Sequence, residues 1–274
     1  MTTLLDNQVA STKALLTISQ YEENITENPS EVSHYWYLGL ALLLEGREDE
    51  AQMTWMTPLL EFGEQESEKW LQQLTDILFD AAQQQEADKN HKLAWVIRQH
   101  IREFLPNDIN NILKIVDLDL DLRIKDIETN INQLIEIISE LTEAPAFDEK
   151  LLVQIIEKLV HIDPVIPPPC TDKLVEIVIP YLSNSTTIIQ LLVGKAEAYY
   201  RASHYYISIY FAKFALQLEP DNLDCIRKII PPLQRLGEDY IKESIEWAEK
   251  YLSLTQEAVD EIIGTHYLLE AFLT

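Results

Sequence analysis

Apolar residues recur along this chain three and four positions apart, the period of a helix with one buried face. No alternating run of β-branched residues bounded by turn glycines, as a half-buried strand would show, appears. The pattern also repeats. In SHYWYLGLALLLEGREDEAQMTW, Tyr35, Leu38, Gly39 and Leu42 fall on the first of two helices, Gly46 at the turn, and Ala51 and Trp55 on the second. Small Gly39 and Ala51 are expected to face each other where the helices cross closely, with Leu38 and Leu42 one turn apart on the buried stripe. Gly46 is expected to end the first helix in the left-handed conformation, and Pro29 stands where a preceding copy would end.

A second copy starts near Thr75, with Leu78, Ala81 and Ala82 on its first helix and Ala94, Arg98, Ile101 and Pro106 on its second. The stretch EFGEQESEKW before it reads as an interruption of the stacking. A third copy starts near Ile189, with Leu192, Ala196 and Tyr199, then Ser208, Ala212, Ala215 and Pro220. A fourth follows from Leu223, with Ile226, Ile230, Leu233, Gly237, Trp247, Ala248 and Tyr251, and places Gly237 at the phase of Gly46. Pairs of this length with small residues at these offsets mark tetratricopeptide repeats of about 34 residues. The expected fold is all-α, a tetratricopeptide-like helical-repeat solenoid of antiparallel helix pairs. It is irregular in the middle, because residues 109–188 keep the helical period and lose the small residues. The four prolines between Asp163 and Cys170 break any helix. The expected organisation is an N-terminal array over 1–162, a proline-rich connector at 163–170, and C-terminal helices over 171–274 continuous with the first array.

The segments HYWYLGLALLLEGREDEAQMTW and AWVIRQHIREFLPNDINN resemble the N-terminal helical region of cyanobacterial SPINDLY-type O-linked N-acetylglucosamine transferases. The likeness is clearest over 29–112 and weaker over 190–255. It implies a helical module that presents substrates to a glycosyltransferase region, and it implies no catalysis by these residues themselves. Better-studied members carry an asparagine at the sixth position of successive repeats, where it grips a partner's backbone. Here that position holds Tyr37, Asp80, Lys114 and Gly194, so the asparagine mode of binding is not carried over.

Composition narrows the chemistry. The chain has 274 residues, 6 of them glycine, and Lys+Arg 21 against Asp+Glu 46 gives a formal charge of −25. Such a charge repels nucleic-acid phosphates and anionic lipid, and no run is long enough to span a membrane. The N-terminus MTTLLDNQ has no signal-peptide pattern, so the expected location is cytoplasmic. No GxSxG, GxxxxGK[ST] or GxGxxG occurs, and neither the six histidines nor the pair Cys170 and Cys225 has metal-ligand spacing. Asp117, Asp119 and Asp121 mimic the start of a calcium loop, with Glu128 at the twelfth position, but Leu122 stands where the loop turn needs glycine. We therefore expect no catalytic residues, no metal and no cofactor.

The informative surface is the inner face of the first helices, where repeat positions 2, 5, 9, 12 and 13 point into a concave groove. In the second copy these are Asp76, Phe79, Gln83, Glu86 and Ala87. In the third they are Gln190, Val193, Glu197, Tyr200 and Arg201, with His204 just beyond. Asp117 and Asp121 join the wall if the helix from Ile109 keeps register. The expectation is a protein-interaction module that binds a protein segment, basic in character, in an acidic groove with aromatic interruptions, as the arm of a larger glycosyltransferase. The alternative is a structural scaffold whose groove is filled by its own C-terminal helix or by a second copy. The apolar stripe Val259, Ile262, Ile263, Tyr267, Leu268, Ala271 and Phe272 suits a homodimer through that helix.

Overall fold

A computed structural model of the chain describes residues 16–61, 67–140, 147–161, 170–182, 186–255 and 258–273. Among them are fourteen α-helices, one short 3-10 turn and no strand, so the protein is an all-α helical repeat. The chain forms two compact units, Met1–Leu122 and Arg123–Thr274.

The first unit holds α1 (Ile18–Glu27), α2 (Ser33–Leu44), α3 (Glu48–Glu61), α4 (Ser67–Ala87), α5 (His91–Phe104) and α6 (Ile109–Leu122). Thr17 and Gln20 form a reciprocal capping box that starts α1. Helices α2 and α3 pair, α4 and α5 pair, α6 packs on α5, and the first helices α2 and α4 touch each other. Trp36, Trp55, Leu74, Leu78, Ile97 and Ile101 are fully buried between them.

The crossing of α2 and α3 differs in one detail from expectation. Gly39 and Ala51 are both buried, but Gly39 faces the indole of Trp55, and a Cβ added there would fall inside that ring. The ring needs the space because its Nε1 donates to the Trp36 carbonyl across the crossing, at 3.1 Å. Gly46 takes φ 80° and ends α2 as expected, with the Arg47 N–H reaching back to the Leu42 carbonyl at 2.9 Å. Lys89 and Ser203 do the same for α4 and for the helix ending at Arg201, with φ 62° at each. Gly237 also has positive φ, 93°, but its ψ of −164° is extended, so it opens a helix rather than closing one in the manner of Gly46.

The stretch read as an interruption is partly helix. Helix α4 already begins at Ser67, and residues 62–66 lie outside the described part.

The second unit holds α7 (Ile127–Glu140), α8 (Glu149–Val160), α9 (Cys170–Val178), α10 (Thr186–Arg201), α11 (Tyr205–Leu218), α12 (Leu223–Arg235), α13 (Glu238–Leu254) and α14 (Ala258–Leu273). In its irregular first part α7 packs on α9, while α8 touches α9 and α10. The proline-rich connector falls outside the described residues except for Cys170, which opens α9. The units divide at Leu122 and Arg123. There Arg123 takes the left-handed conformation, φ 54°, immediately after α6, and the helices on both sides of the prolines belong to one unit. The later helices are regular: α10 pairs with α11, α12 with α13, and α14 packs on α13. The first helices α10, α12 and α14 touch in succession. Pro231 and Pro232 lie inside α12, which forgoes their backbone donors and still runs on to Arg235.

Two glycine substitutions should have opposite signs. Gly39→Ala gains helix propensity but drives a methyl into Trp55, and it should destabilise by about 1–3 kcal/mol. Gly194→Ala, in α10 with open space around it, should stabilise by about 0.5–1 kcal/mol. Urea unfolding followed by circular dichroism measures both. A neutral or stabilising Gly39→Ala would show that the α2–α3 crossing is wrong.

Candidate functional site

In the first unit, Asp76, Phe79, Gln83 and Glu86 follow one another three and four positions apart on α4 and so share one face. Asp76 and Gln83 are exposed, and Asp76 accepts from Gln72 Nε2 at 2.7 Å. Phe79 is half-buried against the core. Glu86 is engaged on both oxygens. The buried Arg98 guanidinium donates to one, and Lys114 Nζ lies 3.5 Å from the other. Arg98 also donates to Asn111 Oδ1 at 3.1 Å, and Asn111 Nδ2 returns a bond to the Arg98 carbonyl at 3.0 Å. Every polar group of that buried knot therefore has a partner, as burial requires.

The Asp117–Asp121 run lies within α6, so its carboxylates do not converge as an ion loop would arrange them. Asp119 is buried and accepts from Trp95 Nε1 at 2.7 Å, whereas Asp121 is exposed and 3.4 Å from His91 Nδ1, and Asp117 is half-buried. Among the described residues no cluster of His, Cys, Asp and Glu could hold a metal ion.

In the second unit the expected residues converge. Gln190, Glu197 and Arg201 of α10 line a cleft of about 500 Å³ with Asn222, Asp224 and Lys228 across from them. Lys228 and Arg201 both donate to Glu197, the latter at 2.9 Å. The hydrogen bond from Lys228 is the main reason the Glu197 carboxyl is held below the ordinary carboxylate range. Tyr200 faces an adjoining cavity of about 100 Å³ formed with Pro231 and Tyr267. Its ring lies 5.9 Å from that of Tyr205, and Arg235 hydrogen-bonds to it. His204 sits in the turn after α10, edge-on to Tyr199 at 6.2 Å, and borders neither cavity.

Two corrections follow. The acidic wall is not a row of free carboxylates, because Glu86 and Glu197 each sit between two cations. The C-terminal helix does not lie across the groove of its unit: α14 packs on α13 and α12 as α12 packs on α11 and α10, and its Tyr267 extends the wall beside Tyr200.

The residues contributed by α12 were within reach of the sequence. Positions 2, 5, 9 and 13 of the fourth copy, counted from Leu223, are Asp224, Arg227, Pro231 and Arg235. The first three line the two cavities and the fourth holds Tyr200. Lys228 stands at the sixth position of that copy, as Lys114 does in the copy from Ile109, while Tyr267 carries no comparable signal.

Both cysteines are buried and free. Burial pushes the thiol of Cys170 up to about 11 and that of Cys225 up to about 12, which leaves neither as a thiolate at neutral pH.

No protein-family model matches the chain, and no curated protein sequence matches it. Solved structures that it is similar to include the MamA protein, at 12% identity and TM-score 0.37 over 66% of this chain and 91% of that one. The type IV pilus biogenesis factor PilW is similar at 12% identity and TM-score 0.34, over 73% of this chain and 90% of that one. The TPR domain of P58(IPK) is similar at 13% identity and TM-score 0.29, over 93% and 82%.

The Glu197 pairing has a definite pH signature. A depressed native carboxyl contributes stability that is complete above the unfolded carboxylate range and is lost as pH falls through the depressed native value. Glu197→Gln should therefore cost about 1 kcal/mol at neutral pH, and the gap from the parent should close in acid. Thermal melts of both proteins across acidic and neutral buffers measure it, and a gap independent of pH would mean that the pair is not formed.

Proposed function

We propose that the chain is a protein-interaction module that holds an extended segment of a partner protein along the first-helix wall of its second unit. The reading rests on one observation: side chains of α10 and α12 converge on a single cleft of about 500 Å³. Gln190 offers an amide there that can bond a partner's backbone. The adjoining aromatic cavity, with Tyr200 and Tyr267, offers apolar contact that salt does not screen. The partner is a basic segment, drawn by the overall charge of −25. Asp76, Phe79, Gln83, Asp117 and Asp121 of the first unit are proposed as further partner contacts. The resemblance of residues 29–112 to SPINDLY-type transferases supports placing the module as the recognition arm of a larger glycosyltransferase. No helix among the described residues is long and apolar enough to cross a membrane.

A second reading, a scaffold that dimerises through its C-terminal helix, is favoured by α14 itself. Ile262 and Phe272 are 71% and 73% exposed, with Leu269 between them on the same face. A concentration-dependent doubling of mass in light scattering, abolished by Ile262→Ser with Phe272→Ser, would support that reading.

Titration with a library of basic and acidic peptides at two salt concentrations tests the first. Basic peptides should bind best, and added salt should weaken the binding without abolishing it. Tyr200→Ala should weaken the best binder by about tenfold, comparable to losing one aromatic anchor. Equal binding by basic and acidic peptides, or no effect of Tyr200→Ala, would overturn it.

A further inference from the structure

Helix α3 is apolar on two sides. Ala51, Trp55 and Pro58 face the core of the first unit, while Met53, Met56 and Leu60 point the other way. The outward three are spaced three and four positions apart and form a stripe roughly 10 Å long, two turns of helix. They are conspicuously uncovered: Met53 is 74% and Leu60 77% exposed.

The stripe borders a cleft of about 440 Å³ between the second helices α3 and α5, lined by Asp49, Gln52, Met53, Met56, Glu103 and Phe104. Its floor is firm. Trp55 is fully buried beneath it, edge-on to Phe104 at 6.4 Å and to His100 at 5.4 Å, and Gln52 bridges to Glu103 at 3.0 Å. Its polar rim has one sign. Two carboxylates and one amide line it, and no cation does. Unlike Glu86 and Glu197, Asp49 takes part in no ion pair among the described residues, and Glu103 accepts from Gln52 with the imidazole of His100 3.3 Å away.

We propose that this cleft is a second docking surface, on the second-helix side of the first unit, for a basic amphipathic helix of a partner protein. The charge of the rim selects the occupant. Lysine or arginine flanking an apolar stripe would meet Asp49 at the N-terminal end of the methionine stripe and Glu103 on the facing helix. An acidic helix would instead add like charge to a protein already at −25. Methionine suits the floor of such a site because its unbranched, polarizable side chain adapts to the shape of what enters. The surface is independent of the first-helix wall in the second unit, and either can fail without the other.

The test is titration of the full chain with a synthetic amphipathic helix of leucine and lysine. Its counterpart has the same leucine pattern with glutamate in place of lysine. The lysine peptide should bind in a one-to-one complex, more weakly at high salt, and the glutamate peptide should not bind. Met53→Ser with Met56→Ser keeps the net charge and touches exposed positions, so the fold should melt as before while affinity falls about tenfold or more. If that pair of changes disturbs folding, Met53→Ser alone, at a position 74% exposed, serves the same purpose. Tyr200→Ala should leave this binding unchanged. Undiminished binding by the serine variants would mean that only general attraction to an acidic protein operates, and would overturn the proposal. Equal binding of the glutamate peptide would overturn it too. So would a methionine-dependent dimer of the chain alone, which would make the occupant a second copy.

Discussion

A helix with a single apolar stripe cannot bury that stripe alone, and a pair of such helices still leaves one face open. The structure follows from this constraint, because each helix is stable only as far as its neighbours cover it. In the first unit the constraint is met most tightly where α2 crosses α3. Only a residue without a side chain at Gly39 lets the Trp55 indole lie in the crossing and bond to the backbone of Trp36. In the second unit the same packing step repeats from α10 to α12 and from α12 to α14. The last step stops halfway. Helix α14 takes the place of a first helix, and among the described residues no second helix covers Ile262 and Phe272.

Much of this was legible because packing leaves a mark on residue size. A glycine three residues before Leu42 and an alanine four before Trp55 can be read as a close crossing without coordinates, and so can a turn at Gly46. What the reading missed has no such mark. It paired Gly39 with Ala51 because both are small, whereas the space beside Gly39 is kept for a large ring. The left-handed turns at Lys89 and Ser203 are held by their place between packed helices, which overrides the residue's own preference. Pro231 and Pro232 would ordinarily end a helix, yet Ile229, Ile230 and Leu233 are fully buried around them and hold α12 together.

The site shows a different limit. Position counting put Gln190, Glu197 and Arg201 on one wall, and the cleft gathers them. The pairing of the carboxylates was not legible, because a count of acidic residues ignores where the cations go. The chain carries 21 Lys and Arg against 46 Asp and Glu, so an average carboxylate is unpaired. Glu86 and Glu197 are far from average, since each is partly buried between helices, where leaving a carboxylate unpaired would be costly.

These two carboxylates share a further geometry. Glu86 on α4 is met by Lys114 from α6, and Glu197 on α10 by Lys228 from α12. In each unit a lysine from a later first helix reaches back to a glutamate on the preceding one. An ion pair at a surface of this kind adds little net stability. Its reach is nevertheless specific, because a helix shifted by one turn along its neighbour would carry the lysine about 5 Å away. The pairs therefore act on register between successive first helices more than on the free energy of folding. They also use up the charge that would otherwise attract a partner. A segment lying on that wall meets amides and aromatic faces first, and the unpaired acidity of the protein acts on it only as a long-range, salt-dependent field.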